Sequence, residues 1–350
     1  MITTLLSLSN ELFFDIWDYF DSSEIYYSFA GLNGRINNLI RIKPGTSAKI
    51  TSSNLDSYMK HILPVMKYQL VALKFDEQNE KHFELFTNKY PLDKFKHLQT
   101  LTISFMPLSN VKIIFDKFQL LTNLTSLSVR FDSKAYREDV SRIFRSILVN
   151  LPKLKYLLFD PNCCFYTLEK VRQNYHYNLE TLLIRIINIT DLFHILHWLP
   201  KLKNLTMNIS TVFSHSHYSL SHIKYLKLNN INGRDEYFRF FDFEDMKFVL
   251  KCCSNLKIFS FLSKACEFLN GKTWMNIFVK YAPLLKKFHL FIDACQILTD
   301  SEEEFFDINN IQKEFQTDYY KDKQWYIKCD YDGCQFNGNN WEYYIKVYSM

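Results

Sequence analysis

The sequence predicts an α/β chain. A small helical domain comes first, then a curved repeat solenoid with a parallel β-sheet on its concave face and helices outside, then a C-terminal β-hairpin cap. Three observations predict it. The first forty residues carry dense apolar side chains at helical spacing, a leucine pattern then recurs nine times, and after residue 299 that rhythm gives way to short alternating strands.

Ser9 or Asn10 can cap a first helix in which Leu12, Phe13, Ile16, Trp17 and Phe20 share one broad face. Asp21 to Glu24 reads as a capping box that ends this helix and starts a second. Ile25, Phe29 and Leu32 follow, Gly31 and Gly34 allow a sharp turn, and Ile36, Leu39 and Ile40 mark a third helix. A unit of about 40 residues cannot bury such a load alone. It leans on the rest of the chain or on a partner. Residues 43–65, with Pro44-Gly45 and a polar run, read as a junction.

From residue 70 the pattern is an apolar anchor, two residues, a second anchor, one residue, a third anchor. It appears as Leu70-Leu73-Phe75, Leu98-Leu101-Ile103, Leu124-Leu127-Val129, Leu154-Leu157-Phe159 and Leu179-Leu182-Ile184. It continues as Leu202-Leu205-Met207, Ile223-Leu226-Leu228, Leu256-Phe259-Phe261 and Leu285-Phe288-Leu290. Intervals of 21 to 33 residues centre on the leucine-rich-repeat range of about 20–29. Amphipathic helical patterns lie between copies, as at 111–118, 140–148 and 192–199. The domain division is therefore 1–42 helical, 43–65 junction, 66–299 solenoid of nine repeats, and 300–350 an acidic loop with a capping hairpin. In that hairpin, 324–330 and 341–348 alternate as strands joined through Asp332-Gly333 and Gly338-Asn339-Asn340.

Composition excludes several classes. Lys and Arg exceed Asp and Glu by only 42 to 37, which argues against a nucleic-acid protein. No run of eighteen apolar residues and no secretory leader pattern is present, so no membrane association is expected. The eight cysteines (163, 164, 252, 253, 266, 295, 329 and 334) contain no C-x-x-C and suit the reducing cytoplasm or nucleus. Cys329 and Cys334 could bridge the terminal hairpin, although a reducing compartment argues against it.

Seven scattered glycines offer no phosphate-cradling loop, and no nucleophile–base arrangement can be defended. His215-x-His217 with His222 sits in a Ser-rich stretch without a nearby carboxylate or cysteine and reads as a solvated loop. His194 and His197 share a helix face, where packing or capping is expected. No catalytic residue, metal or cofactor is expected.

Function should then lie on the outward positions of the strands. Arg130, Tyr156, Arg185, Asn204, Tyr225, Lys227, Lys287 and His289 form a mixture suited to a protein partner. The residue after the first anchor is lysine in five copies, at 155, 203, 224, 257 and 286. This basic ridge reads as a solvated rim, with a docking strip for an acidic partner as the sharper reading.

Leu8-Ser9-Asn10-Glu11-Leu12, with Ile16, Tyr19-Phe20, Asp21, Ile25 and Leu39-Ile40, resembles an F-box across residues 6–42. The run Phe29 to Asn37 is similar to the later helix of animal F-box proteins. That family usually has Pro after the first leucine. Ser9 stands there instead, forgoing pre-organisation worth about 0.4–1 kcal/mol. The repeats, with Cys252-Cys253-Ser254-Asn255-Leu256 approaching a strand, resemble the leucine-rich-repeat receptors of the F-box class.

The resemblance implies a non-catalytic substrate-recognition subunit of an SCF-type cullin–RING ubiquitin ligase. Leu8, Leu12, Ile16 and Phe20 would contact a Skp-family adaptor, with Ile25 and Leu39 either helping or forming the F-box core. The repeats would hold an unknown protein substrate, and the chain would contribute proximity. A plain interaction scaffold without a ligase role is the alternative.

Overall fold

Alternation along a strand sends every other side chain to one face, and each leucine motif runs into a strand on that principle. The structure, a computed structural model, describes residues 5–76, 80–106, 117–131, 137–160, 178–185, 196, 199–209, 219–230, 241–298, 307–337 and 340–349. Twelve strands form one open sheet, mostly parallel, in the order β1 to β10, then β12 and β11. They are β1 Thr46–Thr51, β2 Leu70–Asp76, β3 Thr100–Met106, β4 Ser126–Phe131, β5 Tyr156–Asp160 and β6 Thr181–Arg185. The rest are β7 Asn204–Ile209, β8 Tyr225–Asn230, β9 Ile258–Ser263, β10 Lys287–Leu298, β11 Ile327–Asn337 and β12 Asn340–Ser349. Chain contacts define two units, residues 1–163 with 177–179, and 164–176 with 180–350.

The first unit begins with α1 Asn10–Trp17, α2 Ser22–Phe29 and α3 Gly34–Ile42. Each is capped as its sequence demands. Ser9 accepts from the Leu12 N–H at 3.4 Å, and Asn33 from the Ile36 N–H at 2.8 Å. Asp21 accepts from the Glu24 N–H at 2.9 Å while Glu24 accepts from the Asp21 N–H at 2.7 Å, a complete capping box. Inside, the Phe13, Trp17 and Phe29 rings meet at 5.3 to 6.2 Å.

Strands β1–β5 carry two buried rows in register. One is Ala48, Leu73, Leu101, Leu127 and Leu157; the other is Ile50, Phe75, Ile103, Val129 and Phe159. Helix α4 (Glu80–Lys89) packs Phe86 on Phe75, and α5 (Arg137–Asn150) packs Phe144 on Phe159.

The second unit repeats the device in β6–β10, with rows Leu182, Leu205, Leu226, Phe259, Phe288 and Ile184, Met207, Leu228, Phe261, Leu290. Helices α6 (Phe243–Cys252) and α7 (Gly271–Tyr281) flank them. Trp274 of α7 is fully enclosed by six phenylalanines and donates its indole N–H to the Phe268 carbonyl at 2.9 Å. Two short helices, α8 (Ile308–Glu314) and α9 (Asp318–Asp322), precede β11.

A side-chain ladder locks the turns. Asn123, Asn178 and Asn255, each just before a first anchor, donate to the carbonyls of Lys96, Pro152 and Ser221, all at 2.9 Å. In every case the acceptor lies two residues before the anchor of the preceding copy.

The expected fold needs correction in two places. A three-helix F-box standing as its own domain is not what the chain forms: α1–α3 belong to the same unit as β1–β5, and the sheet already begins with β1 inside the stretch read as a junction. A curved leucine-rich-repeat solenoid is not shown either. The architecture is one open, mostly parallel sheet with uneven connections, from the three-residue 3-10 turns Leu92–Lys94 and Phe118–Leu120 to the fourteen-residue α5. The motif sets which side chains a strand buries. It says nothing of a constant rotation from copy to copy, which uneven connections do not supply. The C-terminal hairpin covers the β10 edge by continuing the sheet. Strand β12 pairs antiparallel with β10, and β11 pairs outside β12.

Asp332-Gly333, expected as a turn, is a register shift inside β11. Cys329 and Cys334 therefore lie on the same strand, and Cys329 is a free thiol. Strand neighbours five apart do not face each other as a bridge requires. The helical pattern at 140–148 lies within α5. Most of those at 111–118 and 192–199 falls outside the described residues, as do the acidic run 300–306, His194, His197, His215 and His217.

Candidate functional site

Two surfaces stand out, one in each unit. On the first, adjacent apolar residues of α1 divide their labour: Phe13 and Trp17 turn inward and are fully buried, while Leu12 remains 48% exposed. Phe20 is 39% exposed, and Leu8 and Ile16 are half-buried. Four of the six residues expected to meet an adaptor thus reach the surface. Ile25 and Leu39 do not; both are buried and belong to the core.

Leu5, Leu6, Tyr19, Tyr27, Leu32 and Ile42 are exposed as well. Eight of the sixteen large hydrophobic side chains exposed among the described residues therefore lie between residues 5 and 42. Scattered exposed apolar residues need no explanation, whereas here half of those exposed among the described residues fall within one stretch of 38.

Arg35 on α3 holds the start of this surface in place. Its guanidinium donates to the Leu6 carbonyl at 3.1 Å, to the Leu8 carbonyl at 2.5 Å, and twice to Asn10. It also lies 5.8 Å from the Phe13 ring centroid. At the helix start, the Glu11 N–H and the Ser9 hydroxyl hold the Glu11 carboxyl below its usual range. The clamp spans 25 or more residues, and no local pattern announces it. The same is true of Lys43, whose side chain is 3% exposed and whose ammonium sits 2.5 Å from the Asp18 carboxylate.

The exposed face of β1–β3 holds a shallow depression of about 250 Å³ lined by Asp21, Lys49, Lys74, Thr100 and Thr102. Lys74 pairs with Asp76 at 3.6 Å. Further along that unit, Arg130 is exposed opposite Asp160, and Tyr156 is half-buried.

In the second unit the outward residues align in rows across the strands. Thr181, Asn204, Tyr225, Ile258 and Lys287 form one, and Leu183, Thr206, Lys227, Ser260 and His289 the next. Lys287 and His289 are exposed, while Asn204, Tyr225 and Lys227 are half-buried. Arg185 occupies a third row with Asn208, Asn229, Leu262 and Phe291; its side chain lies outside the described residues. Asn204 and Asn229 tie neighbouring strands through Thr181 and Asn208. The face is mixed, polar and aromatic, which suits a protein partner.

Among the described residues no group of three or more His, Cys, Asp or Glu is placed to hold a metal, and no helix is long and apolar enough to cross a membrane. No protein-family model and no curated protein matches the chain.

Proposed function

We propose that this protein is a non-catalytic substrate-recognition subunit of an SCF-type cullin–RING ubiquitin ligase. The N-terminal helices dock on a Skp-family adaptor, and the outward sheet face holds a target protein. One observation carries the reading: apolar exposure is concentrated at residues 5–42, on helices whose own core is already filled by Phe13, Trp17, Ile25, Phe29 and Ile36. The sequence resemblance around Leu8 to Leu12 supplies the identity of the partner. The cytoplasm or nucleus is the matching compartment.

Co-expression with a Skp-family adaptor tests it. The adaptor co-purifies with the wild-type chain and is lost with Leu12→Asp, whose melting temperature stays unchanged because Leu12 supports no core. An adaptor that ignores the wild-type chain sinks the ligase reading. A leucine-rich interaction scaffold with no ligase role then remains, supported by the mixed face of β6–β10 alone.

A further inference from the structure

The second unit carries a line of four lysines, of which the first alone meets a carboxylate among the described residues. Lys203, Lys224, Lys257 and Lys286 each precede a strand, and all four are exposed. Their backbones form a continuous ladder. Lys203 donates its N–H to the Glu180 carbonyl at 2.9 Å, Lys224 to Lys203 at 2.9 Å, Lys257 to Lys224 at 2.9 Å and Lys286 to Lys257 at 2.8 Å. The residue after each lysine donates to that same carbonyl, so the position is fixed in every copy.

At the start of the ladder the Lys203 ammonium meets Glu180 at 2.9 Å, which shows that side chains at this position reach their neighbour on the next strand. Lys224, Lys257 and Lys286 have no ion pair among the described residues. Like charges side by side across strands are destabilising. The fold retains three in a row, and Lys287 adds a fourth charge beside them.

We infer that this ridge is a docking site for an acidic helical segment of a partner protein. Spacing selects the helix. Neighbouring strands lie about 4.8 Å apart, so the three unpaired lysines span roughly 9.6 Å. Carboxylates at positions i, i+3 and i+7 of a helix span about 10.5 Å on one face. Same-face carboxylates of an extended peptide span about 13.4 Å, a mismatch of nearly 4 Å. Nucleic-acid grooves interleave their cations with stacking aromatics, yet of the eight residues flanking the four lysines only Tyr225 is aromatic. The ridge shares no residue with the N-terminal helices, and the inference does not rest on the ligase reading.

The test uses the full chain and fluorescence anisotropy at low salt. The probe is an alanine-rich helical peptide with glutamates at i, i+3 and i+7; its control has the same composition with glutamates spread around the helix. The facial peptide binds about tenfold tighter than the control, and Lys224→Ala/Lys257→Ala/Lys286→Ala removes that advantage. Lys251→Ala/Lys264→Ala/Lys272→Ala, which loses equal charge from exposed lysines elsewhere, keeps it. If the triple ridge variant fails to fold, Lys257→Ala alone lowers affinity about threefold. Equal binding of the two peptides, equal loss in both triple variants, no loss in Lys257→Ala, or tighter binding of polythymidylate than of the facial peptide overturns the inference.

Discussion

Arg35 grips Asn10 twice, donating to the same side-chain oxygen from Nε at 2.9 Å and from Nη2 at 2.8 Å, so α3 holds the first residue of α1. The further bonds to the Leu6 and Leu8 carbonyls extend that grip along the exposed apolar start. Arg35→Ala should lower stability by about 1–2 kcal/mol in urea denaturation and raise amide hydrogen exchange at residues 6–12. Arg35→Lys restores only part of the protection, because one ammonium cannot reproduce a planar fork. Unchanged exchange in Arg35→Ala would show that the clamp is idle.

Asp18 and Lys43 form an asymmetric pair, with side chains 69% and 3% exposed. Removing the exposed partner strands a buried ammonium, so Asp18→Ala costs about 1–3 kcal/mol. Lys43→Met removes the charge while keeping the apolar stem and changes stability by less. Comparing the two denaturation midpoints decides it; equal losses would refute the asymmetry.

Gly271 is where the helices before β11 meet α7. Its N–H donates to the Glu314 carboxylate at 2.9 Å, and its carbonyl accepts from the Tyr320 hydroxyl at 2.7 Å. A Cβ there would lie 2.8 Å from the Glu314 carbonyl carbon and 2.9 Å from its oxygen, both backbone atoms that cannot step aside alone. Gly271→Ala should therefore loosen α8 and α9 from α7, with limited proteolysis newly cutting between residues 307 and 323. A wild-type digestion pattern would contradict this.

Burial, with the Asp330 carboxylate adding to it, pushes the Cys329 thiol from the usual 9.0 up to about 11. The folded chain keeps that proton after the unfolded chain has released it. Stability from this site is complete below pH 9 and is lost as pH rises through about 11. Replacing Cys329 by Ala should flatten the alkaline limb of a melting-temperature profile across that window. At pH 8 a thiol reagent should label half-buried Cys266 ahead of Cys329. The reverse order of labelling would contradict the assigned burial.

The nine strands of the leucine motif were legible because three spaced anchors dictate two buried rows whatever lies between the copies. Strand β1 was not. Thr46-Ser47-Ala48-Lys49-Ile50-Thr51 offers only one large apolar side chain, and its pairing with β2 supplies what hydrophobicity lacks. In α1, Leu12 and Phe13 are equally apolar neighbours, so periodicity could not say which one faces inward; contact with Phe29 decides it. Arg35 and Lys43 act across 25 residues of sequence and leave no local trace. Asp332-Gly333 has turn chemistry, and the same backbone freedom serves equally well for a bulge.

The place of β12 between β10 and β11 carries a kinetic consequence. Strand β11 precedes β12 in the chain, yet among the described residues its ladder partner is β12, the segment that follows it. Until Asn340–Ser349 is in place, β10 keeps an open margin and the eleven residues of β11 lack the strand they pair with. Insertion of β12 is thus the folding step that closes an aggregation-prone edge.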